Sequence, residues 1–489
     1  MRELLELYWD ELAAWGALVN LLLTALTIAW ALTIKRDQMS ALAWCLVIIF
    51  LPFLGVLLFA LLGWQQVQRP VARKQRHKQS YRNRVLSSTE AEAGATGEAA
   101  EPGMARLALR FDASPVSQNR VTFYHEGEPA LHDQLAAIRN ARHHIHLEYF
   151  IFQPDDTGRL FLDALEQKAR AGVEVRLLYD AMGSHRIRRW CLRALRQAGG
   201  RCGAFLPLDP LRRRIQINMR NHRKIAVIDG QIAFCGGLNI GDEYRGKSAR
   251  FGYWRDTHLR LEGPAAADLQ RVFVEDWDFA MGEHLQGDRY FPPRGLEMAP
   301  PSDRAALECA VQVIQSGPDQ QLKGIREIYF AAISQARRRL WIASPYFVPD
   351  AGLRDILCLA GWQGVDVRLL CQFHPDKWIP YYAGRYYWAD MLDAGVRIYQ
   401  YAKGMMHSKV MLLDDHWASV GTANLDNRSL HLNFEVNCLL HTPAAVTELE
   451  AAFLRDLDDS IQLDRAVFAE RPFAGRLVEN VCRLLSPML

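Results

Sequence analysis

Two copies of one short pattern carry the residue types best suited to chemistry in this 489-residue chain. The first copy is Asn221-His-Arg-Lys-Ile-Ala-Val-Ile-Asp229, and the second is Met406-His-Ser-Lys-Val-Met-Leu-Leu-Asp414. Both read His-x-Lys-x-x-x-x-Asp, and both lead into a small-residue turn that ends in an asparagine, Asn239 or Asn424. Matching flanks favour a functional repeat over a chance recurrence on two solvated strands.

Each copy is typical of a short buried strand, because apolar residues follow its lysine without interruption. Side chains two positions apart share one face of a strand, so each histidine shares a face with its lysine. Each aspartate lies at an odd offset from its histidine. We therefore expect it to orient a loop or the lysine and not to react directly. The candidate catalytic motif residues are His222, Lys224, Asp229, His407, Lys409 and Asp414.

Two facing imidazoles and two ammonium groups suit an in-line attack on a phosphodiester. One neutral imidazole would attack phosphorus, and one protonated imidazole would give its proton to the leaving oxygen. The lysines and the amides of Asn239 and Asn424 would stabilise charge on the phosphoryl oxygens. Because the two histidines would then differ in protonation, we expect their surroundings to push their pKa values apart. The lysines supply the positive charge, so we expect neither a metal nor a cofactor.

The duplicated motif resembles the phospholipase D superfamily, whose hallmark it is. The resemblance implies a phosphohistidine intermediate and transfer of a phosphatidyl or phosphoryl group to an alcohol or to water. It also implies a downstream acidic residue that holds each histidine ring. In Asn433-Phe434-Glu435, Glu435 matches for the second copy, and in Trp254-Arg255-Asp256, Asp256 is the counterpart for the first.

Composition excludes some other classes of site. The 58 basic and 55 acidic residues nearly balance, so no global polycation argues for a nucleic-acid partner. The nine cysteines are scattered without a C-x-x-C pair, which predicts reduced, mostly buried thiols instead of a disulfide framework or a zinc site. His143, His144 and His146 form a cluster, for which we expect a structural or surface role in preference to metal binding.

The N-terminal region has two uncharged runs, residues 12–34 and 41–64, each long enough to cross a bilayer. They predict a transmembrane helical hairpin over residues 1–68, as opposed to a cleaved signal peptide or a buried soluble hairpin. A basic juxtamembrane segment and a flexible linker follow at 69–104. The positive-inside rule places both ends of the hairpin, and the domain that follows, on the cytoplasmic side of a bacterial inner membrane. The basic residues are Arg69, Arg73, Lys74, Arg76, Lys78, Arg82 and Arg84.

From about residue 115, strand and helix patterns alternate, which predicts an α/β fold with a parallel or mixed sheet. Strands are expected at 145–152 and 173–179, with a helix at 158–171. Segments of the first part of this region have similar counterparts, in the same order, near residues 332 and 364, which implies an internal duplication. We therefore expect two tandem phospholipase D-like α/β/α sandwich units, 105–300 and 301–489, related by a pseudo-twofold axis around a central cleft. The tail from Phe473 to Leu489 predicts a packed C-terminal helix, with peripheral membrane contact as an alternative.

Three phrases resemble the bacterial cardiolipin synthase branch of the superfamily: residues 344–350, 254–260 and 483–487. This resemblance implies that one phosphatidylglycerol gives its phosphatidyl group to a histidine and releases glycerol. A second phosphatidylglycerol then attacks to form cardiolipin. The residues leave open which histidine is the nucleophile, and family analogy favours His222. Phosphatidylglycerol and cardiolipin in the membrane are the expected partners, and nucleic acid is not.

Other functions remain open at this level. A hydrolytic phospholipase D, or another phosphatidyltransferase, would share every catalytic residue. A membrane-tethered nuclease would need a basic groove with exposed aromatic side chains, and the sequence has no concentrated basic run outside the juxtamembrane segment. A non-enzymatic scaffold would be expected to have lost at least one histidine or lysine, and all four are present.

Overall fold

A computed structural model of the chain describes residues 2–34, 38–51, 53–60, 74–75, 103–207, 218–292, 305–320 and 322–489. The chain divides into two units, Met1–Lys74 and Gln75–Leu489. Most of the predicted linker at 87–104 lies outside the described residues. Its last two residues, Gly103 and Met104, instead begin a helix.

The first unit is helical, with α1 at Arg2–Ile34, α2 at Gln38–Phe50 and α3 at Leu54–Leu58. Within the described residues, one helix is long and apolar enough to cross a membrane, at Ala13–Ile34. In the described residues the second predicted span, 41–64, is divided between α2, which ends at Phe50, and α3, which begins at Leu54. Residues 61–64 of this span lie outside the described residues.

The second unit contains a mixed sheet of 16 strands with helices against it. Its opening helix is α4, Gly103–Arg110. We call the elements from residue 117 to 281 the first half. They are β1 Ser117–Glu126, α5 Gly127–Asn140, β2 His144–Tyr149, α6 Asp156–Arg170, β3 Glu174–Asp180, α7 Arg193–Gln197, β4 Arg201–Phe205, β5 Lys224–Ile228, β6 Ile232–Gly236, β7 Tyr253–Glu262 and α8 Pro264–Met281.

The elements from residue 307 to 458 form the second half. They are β8 Leu307–Ser316, α9 Gly324–Gln335, β9 Arg339–Ala343, β10 Phe347–Val348, α10 Ala351–Trp362, β11 Asp366–Gln372, α11 Trp378–Asp393, β12 Arg397–Tyr401, β13 Gly404–Met406, β14 Val410–Leu413, β15 Trp417–Gly421, β16 Leu425–Asp426, β17 Glu435–Leu440 and α12 Pro443–Asp458. The tail adds β18 Ser460–Gln462, α13 Arg465–Ala469 and α14 Phe473–Arg483.

Strand order in the sheet repeats between the halves. The first half runs β1-β7-β6-β5-β2-β3-β4, and the second runs β8-β17-β15-β14-β9-β11-β12, with β18 at its edge. Strands β1 and β8 pair antiparallel and join the halves into one sheet. Strand β13 of the second half pairs with β7 of the first, which brings the two repeated motifs to the junction.

Local sequence explains matching features of the two halves. Asp155 caps α6 by accepting from the N–H of Gly158 at 3.0 Å, and Asp350 caps α10 by accepting from the N–H of Leu353 at 3.0 Å. A proline occupies the first turn of both α8 and α12, where the missing N–H costs no helical hydrogen bond.

The strands that carry the motifs are covered on both faces. In β5, Ile225 and Val227 join one apolar cluster, whereas Ala226 and Ile228 join another. Strand β14 divides its side chains between two clusters in the same way. Burial on both faces explains why both strands are continuously apolar in the sequence. The nine cysteines are free, and seven of them are buried.

Candidate active site

Both histidines lie just before their strands, and each is joined by its backbone to the opposite half. The N–H of His222 donates to the carbonyl of Phe434 at 2.9 Å, and the N–H of His407 donates to the carbonyl of Arg255 at 2.8 Å. The charge of His407 is also one of the groups that act on the pKa of His222. The two copies of the motif therefore meet in one site.

Each histidine ring is held by a carboxylate from the opposite half. Nδ1 of His222 lies 2.9 Å from Oε1 of Glu435, and Nδ1 of His407 lies 2.7 Å from Oδ2 of Asp256. The expected pairing, of Glu435 with the second copy and Asp256 with the first, is therefore wrong. Each carboxylate follows directly after the residue whose carbonyl binds the other half's histidine, so the backbone contact sets the crossed pairing.

An aromatic ring lies against each imidazole. The ring of Phe150 meets that of His222 edge-on at 4.8 Å between centroids, and Trp254 lies 5.2 Å from His407. Both histidines are 8% exposed. Burial against apolar rings disfavours the imidazolium form, which keeps the rings neutral in the absence of an anionic ligand.

The lysines are more deeply buried than the histidines. Nζ of Lys224 donates to the backbone carbonyl of His222 at 2.6 Å, and Lys409 donates to the carbonyl of His407. Burial lowers the pKa of Lys224 to about 7 and that of Lys409 to about 8. Both ammonium groups therefore lack the stabilisation that water would give them. An anion beside them would compensate for that loss and favour their charged forms.

Both histidines have pKa values below the ordinary one. Burial, helped by Lys224 and Lys409, holds the pKa of His222 well below it, and burial and Lys409 lower the pKa of His407 to about 4. The sequence predicts that the surroundings push the two pKa values apart, and the structure shows a downward shift at both rings. Burial dominates at both rings, and it acts with the same sign on each.

The carboxylates, not the imidazoles, are pushed apart. Burial raises the pKa of Glu435 to about 7, although Lys224 opposes the rise. At Asp256 burial acts the same way, but the charges of His407 and Lys409 outweigh it and hold the pKa below its ordinary value. Asp256 is thus ionised at neutral pH, while Glu435 is divided between its two forms.

The motif aspartates, Asp229 and Asp414, bind backbone in the loops that precede β2 and β9. Asp229 accepts from three consecutive N–H groups, those of residues 142–144, at 2.7 to 2.9 Å. Asp414 accepts from those of residues 337–339, at 2.9 to 3.2 Å. Both residues have positive φ, 54° and 47°. The structure thus places them in the loop-orienting role that the sequence predicts.

The two turn asparagines differ in their contacts. Asn239 is engaged at both ends, since its Oδ1 accepts from the N–H of Ile151 at 3.0 Å and its Nδ2 donates to Tyr244 at 2.9 Å. Asn424 donates from Nδ2 to Asp426 at 3.1 Å. Within the described residues, Oδ1 of Asn424 has no hydrogen-bond partner. The end of Asn424 without a partner is thus a hydrogen-bond acceptor, which cannot stabilise the oxygens of a phosphodiester in the way that the sequence suggested for this amide.

Sequence reasoning missed the group that holds Glu435. The hydroxyl of Thr422 donates to Oε2 of Glu435 at 2.5 Å. The first half has Gly237 at the matching place in its turn, and a Cβ there would collide with the Asp256 carboxylate. The difference between the two turns, Gly-Gly-Leu-Asn and Gly-Thr-Ala-Asn, is visible in the sequence and was the available signal.

The histidine cluster near β2 has structural contacts. His146 stacks on Phe273 at 4.5 Å between centroids, and its Nδ1 lies 3.0 Å from Oε1 of Gln270. His144 is also buried and lies beside Gln270. Across the part of the chain that the structure describes, no group of three or more His, Cys, Asp or Glu side chains could hold a metal ion.

The chain matches the family model described as "Cardiolipin synthase, PLD-like domain" over residues 135–277 and 329–457. A protein of Geobacillus kaustophilus named cardiolipin synthase is 41% identical, with 96% of this chain and 94% of that protein covered. The chain belongs to the cardiolipin synthase family. A cardiolipin synthase of Staphylococcus aureus is 39% identical, with 97% of this chain and 96% of that protein covered.

A solved structure shares the fold of this family member. The phosphatidylserine synthase of Haemophilus influenzae superposes with a TM-score of 0.60 at 16% identity, covering 80% of this chain and all of that one. Residues 22–64 match a second family model, described as "Phospholipase_D-nuclease N-terminal". Family membership and the apolar helix of the first unit indicate a membrane-associated protein.

Proposed function

We propose that the protein is a cardiolipin synthase, which transfers the phosphatidyl group of one phosphatidylglycerol to a second and releases glycerol. The observation that carries this proposal is the crossed site, in which His222 with Glu435 and His407 with Asp256 lie beside two buried lysines. The naming of family relatives as cardiolipin synthases supports the choice of substrate.

In the first half-reaction, Nε2 of the nucleophilic histidine attacks phosphorus of phosphatidylglycerol. The bond from phosphorus to the glycerol oxygen breaks, and the other histidine gives that oxygen its proton. In the second half-reaction, the histidine that acted as the acid now removes a proton from a hydroxyl of another phosphatidylglycerol. The oxygen of that hydroxyl attacks phosphorus and displaces the nucleophilic histidine. One phosphodiester replaces another in each step, so the exchange needs no nucleotide and is reversible.

We infer that His222 is the nucleophile and His407 the general acid. Asp256, which holds His407, is ionised, and a negative partner stabilises the imidazolium that an acid must form. Glu435, whose pKa is about 7, is a weaker anionic partner for His222. Nδ1 of His407 also lies 3.0 Å from Nζ of Lys409. Because the contact to Asp256 is shorter, we infer that Nδ1 carries a proton and donates it in a hydrogen bond to the ionised carboxylate.

A substrate with a good leaving group tests this assignment. Phosphatidyl-p-nitrophenol releases an anion that needs no proton, so the His407→Ala variant should still release about one equivalent of p-nitrophenol and retain an acid-labile phosphoryl label. His222→Ala should release none. The reverse result, with a burst and label in His222→Ala alone, would exchange the two roles.

The two lysines supply the charge complement. A bound phosphodiester would be an anionic partner for Lys224 and Lys409, whose buried ammonium groups bond to backbone carbonyls. The phosphoryl oxygens gain negative charge as the nucleophile attacks, and fixed cations in a buried site stabilise that charge. No metal is needed for this role.

A product assay tests the proposed function as a whole. The full-length protein in phosphatidylglycerol vesicles, without nucleotide or divalent metal, should yield cardiolipin and free glycerol in equal amounts, and His222→Ala and His407→Ala should yield neither. Phosphatidic acid as the main product would make water the acceptor and the protein a phospholipase D. If no phospholipid turned over, the lipid proposal would fail, and nucleic-acid cleavage would be tested next.

For the membrane topology we propose the two-span hairpin, in a bacterial inner membrane with the catalytic unit on the cytoplasmic side. The support is the pair of uncharged runs at 12–34 and 41–64 and the basic residues that follow them. A reporter fused after residue 86 should be inaccessible from the periplasm.

We also propose that residues 105–300 and 301–489 are two duplicated α/β units about a pseudo-twofold axis. The repeated strand order on either side of the β1–β8 pair supports this division. The crossed histidine contacts make each unit depend on the other. A chain cut into separately expressed units should therefore be inactive until both are combined.

A further inference from the structure

The C-terminal helix α14 carries its apolar side chains on the exposed side. Phe473, Leu477, Val481 and Leu484 are 73, 52, 56 and 72% exposed. They recur every three or four residues and so share one face of the helix. The opposite face is packed, and its buried residues are Glu479 and Cys482. A surface helix ordinarily buries its apolar face, so the arrangement on α14 is inverted.

Ion pairs hold α14 in this orientation. Glu479 is 2% exposed and accepts from Nε of Arg385 and Nε of Arg471, both at 2.9 Å. One turn later, Arg483 donates to the hydroxyl of Tyr386 at 2.8 Å. Rolling the helix to bury its apolar face would break these contacts and expose a paired, buried carboxylate. The outward apolar face is therefore a fixed feature of the fold.

We propose that the outward face of α14 docks onto the surface of an anionic phospholipid bilayer. Phe473, Leu477, Val481 and Leu484 would enter the boundary between headgroups and acyl chains. Charge complementarity favours an anionic surface over a basic protein partner. Arg476 on this helix is exposed, whereas the only carboxylate between residues 473 and 485, Glu479, is buried and paired. An anionic headgroup therefore meets no exposed acidic side chain on α14.

The tail that follows α14 connects this surface to the candidate active site. The carbonyl of Leu489 accepts from the N–H of Arg428 at 2.7 Å, and that of Ser486 accepts from Nδ2 of Asn427 at 3.0 Å. Both acceptors bind the segment that runs into Glu435, the carboxylate that holds His222. Docking of α14 would thus bring the catalytic segment to the bilayer that supplies the substrate. Only the choice of a phospholipid bilayer as the occupant rests on the proposed function.

Local fluorescence tests docking in the full-length protein, which its N-terminal helix would anchor in any case. Cys45 and Cys191, the two cysteines that are not buried, are replaced by serine, and Leu477→Cys is labelled with an environment-sensitive dye. The matched control is Leu160→Cys on α6, another exposed leucine. In phosphatidylglycerol vesicles that contain nitroxide-labelled lipid, we expect about twofold quenching at 477 and none at 160.

Three results would overturn the proposal. Dye at 477 that stays unquenched and solvent-exposed in vesicles would show that no bilayer covers the face. If the dye at 477 is shielded from solvent but becomes exposed when the protein is diluted, the face would be assigned to contact with a second copy. If the dye is already fully shielded from solvent in detergent, and labelled lipid does not quench it, the face would be assigned to contact with another segment of this chain.

A charge substitution provides a second, independent test. In a chain labelled at Val481→Cys, Leu477→Glu places a carboxylate in the apolar face and should abolish the quenching. Asn480→Glu adds the same charge at an exposed polar position of the same helix and should preserve most of it. Equal quenching in both variants would contradict docking by this face. Because the signal requires no turnover, a failure of docking is distinguishable from a failure of phosphatidyl transfer.

Discussion

The carboxylate that holds His407 and the carboxylate that holds His222 differ in their surroundings. Asp256 lies against Gly237, accepts from the N–H of Thr257 at 2.8 Å, and has a lowered pKa. Glu435 accepts from the Thr422 hydroxyl at 2.5 Å and has a pKa raised to about 7. The same backbone arrangement thus produces a firmly ionised carboxylate on one side and a titrating one on the other.

This difference shows how one repeated motif can supply two chemical roles. A nucleophilic imidazole must stay neutral, and an acidic imidazole must become charged during the reaction. Because burial lowers the pKa of both histidines, it cannot separate them. The separation comes from the partner carboxylates, which belong to the opposite halves. In the proposed mechanism, each half thereby determines the role of the other half's histidine.

The largest effect is expected from neutralising the two carboxylates one at a time. Asp256→Asn removes the charge that stabilises the His407 imidazolium, and a loss of this kind lowers kcat by roughly 10⁴-fold. Glu435→Gln resembles a protonated form that the native site already populates at pH 7, so about tenfold is expected. Steady-state cardiolipin formation at pH 7 measures both. Equal losses of kcat in the two variants would contradict the proposed difference in charge between the two carboxylates.

The pH dependence of kcat sharpens the same comparison. The rate should rise as Glu435 ionises near pH 7, because the carboxylate form orients the His222 ring more strongly. The rate should fall above about pH 7 to 8, where first Lys224 and then Lys409 loses its proton. Glu435→Gln should lose the acid limb and keep the alkaline one. An unchanged acid limb in this variant would show that another group causes it.

The second prediction concerns the glycine that makes room for Asp256. A Cβ at Gly237 would collide with that carboxylate, so Gly237→Ala should displace Asp256 and with it the His407 ring. Misplacing a catalytic group by about 1 Å costs on the order of 100-fold in rate. Thr422→Ser, at the matching turn position of the second half, keeps the hydroxyl that binds Glu435, creates no collision and serves as the control. Full activity in Gly237→Ala would show that Asp256 can shift without consequence.

The sequence identified the motif strands, the mixed α/β fold, both partner carboxylates and the loop role of Asp229 and Asp414. Those features depend on local periodicity, or on the spacing of residues along the chain. The crossed pairing of carboxylates could not be read in this way, because it depends on β13 pairing with β7 across more than 140 residues. No local pattern records such a contact.

The lowered pKa values of both histidines could not be predicted from the sequence. Desolvation at His222 and His407 depends on packing by Phe150 and Trp254, which come from other segments of the chain.

The third prediction compares the two lysines through stability. Both have folded-state pKa values below 10.5, so each group costs stability at low pH, and the cost disappears as the pH rises to the unfolded value. Lys224→Met should therefore stabilise the fold on the order of a few kcal/mol at pH 6, and less at pH 9.5. Lys409→Met should show a smaller gain, because its pKa is less depressed.

Thermal unfolding of the full-length protein at the two pH values measures this effect. Loss of activity in both variants is expected, so the stability gain would be an example of a trade-off between stability and function. A gain that is the same at pH 6 and pH 9.5 would contradict the depressed pKa of Lys224. A larger gain in stability for Lys409→Met would show that the pKa of Lys409, and not that of Lys224, is the more strongly lowered.

The smallest effect is expected at Thr422, which adjusts the Glu435 side of the comparison without removing any reacting group. Its hydroxyl donates to the ionised carboxylate and lowers the pKa of Glu435. Thr422→Val should therefore raise that pKa further, shift the acid limb of the rate profile to higher pH, and lower the rate at pH 7 a few-fold. Thr422→Ser keeps the donor and should retain the native profile. If Thr422→Val lowered the rate equally at every pH, the hydroxyl would act through packing, and the difference between the half-sites would rest on burial alone.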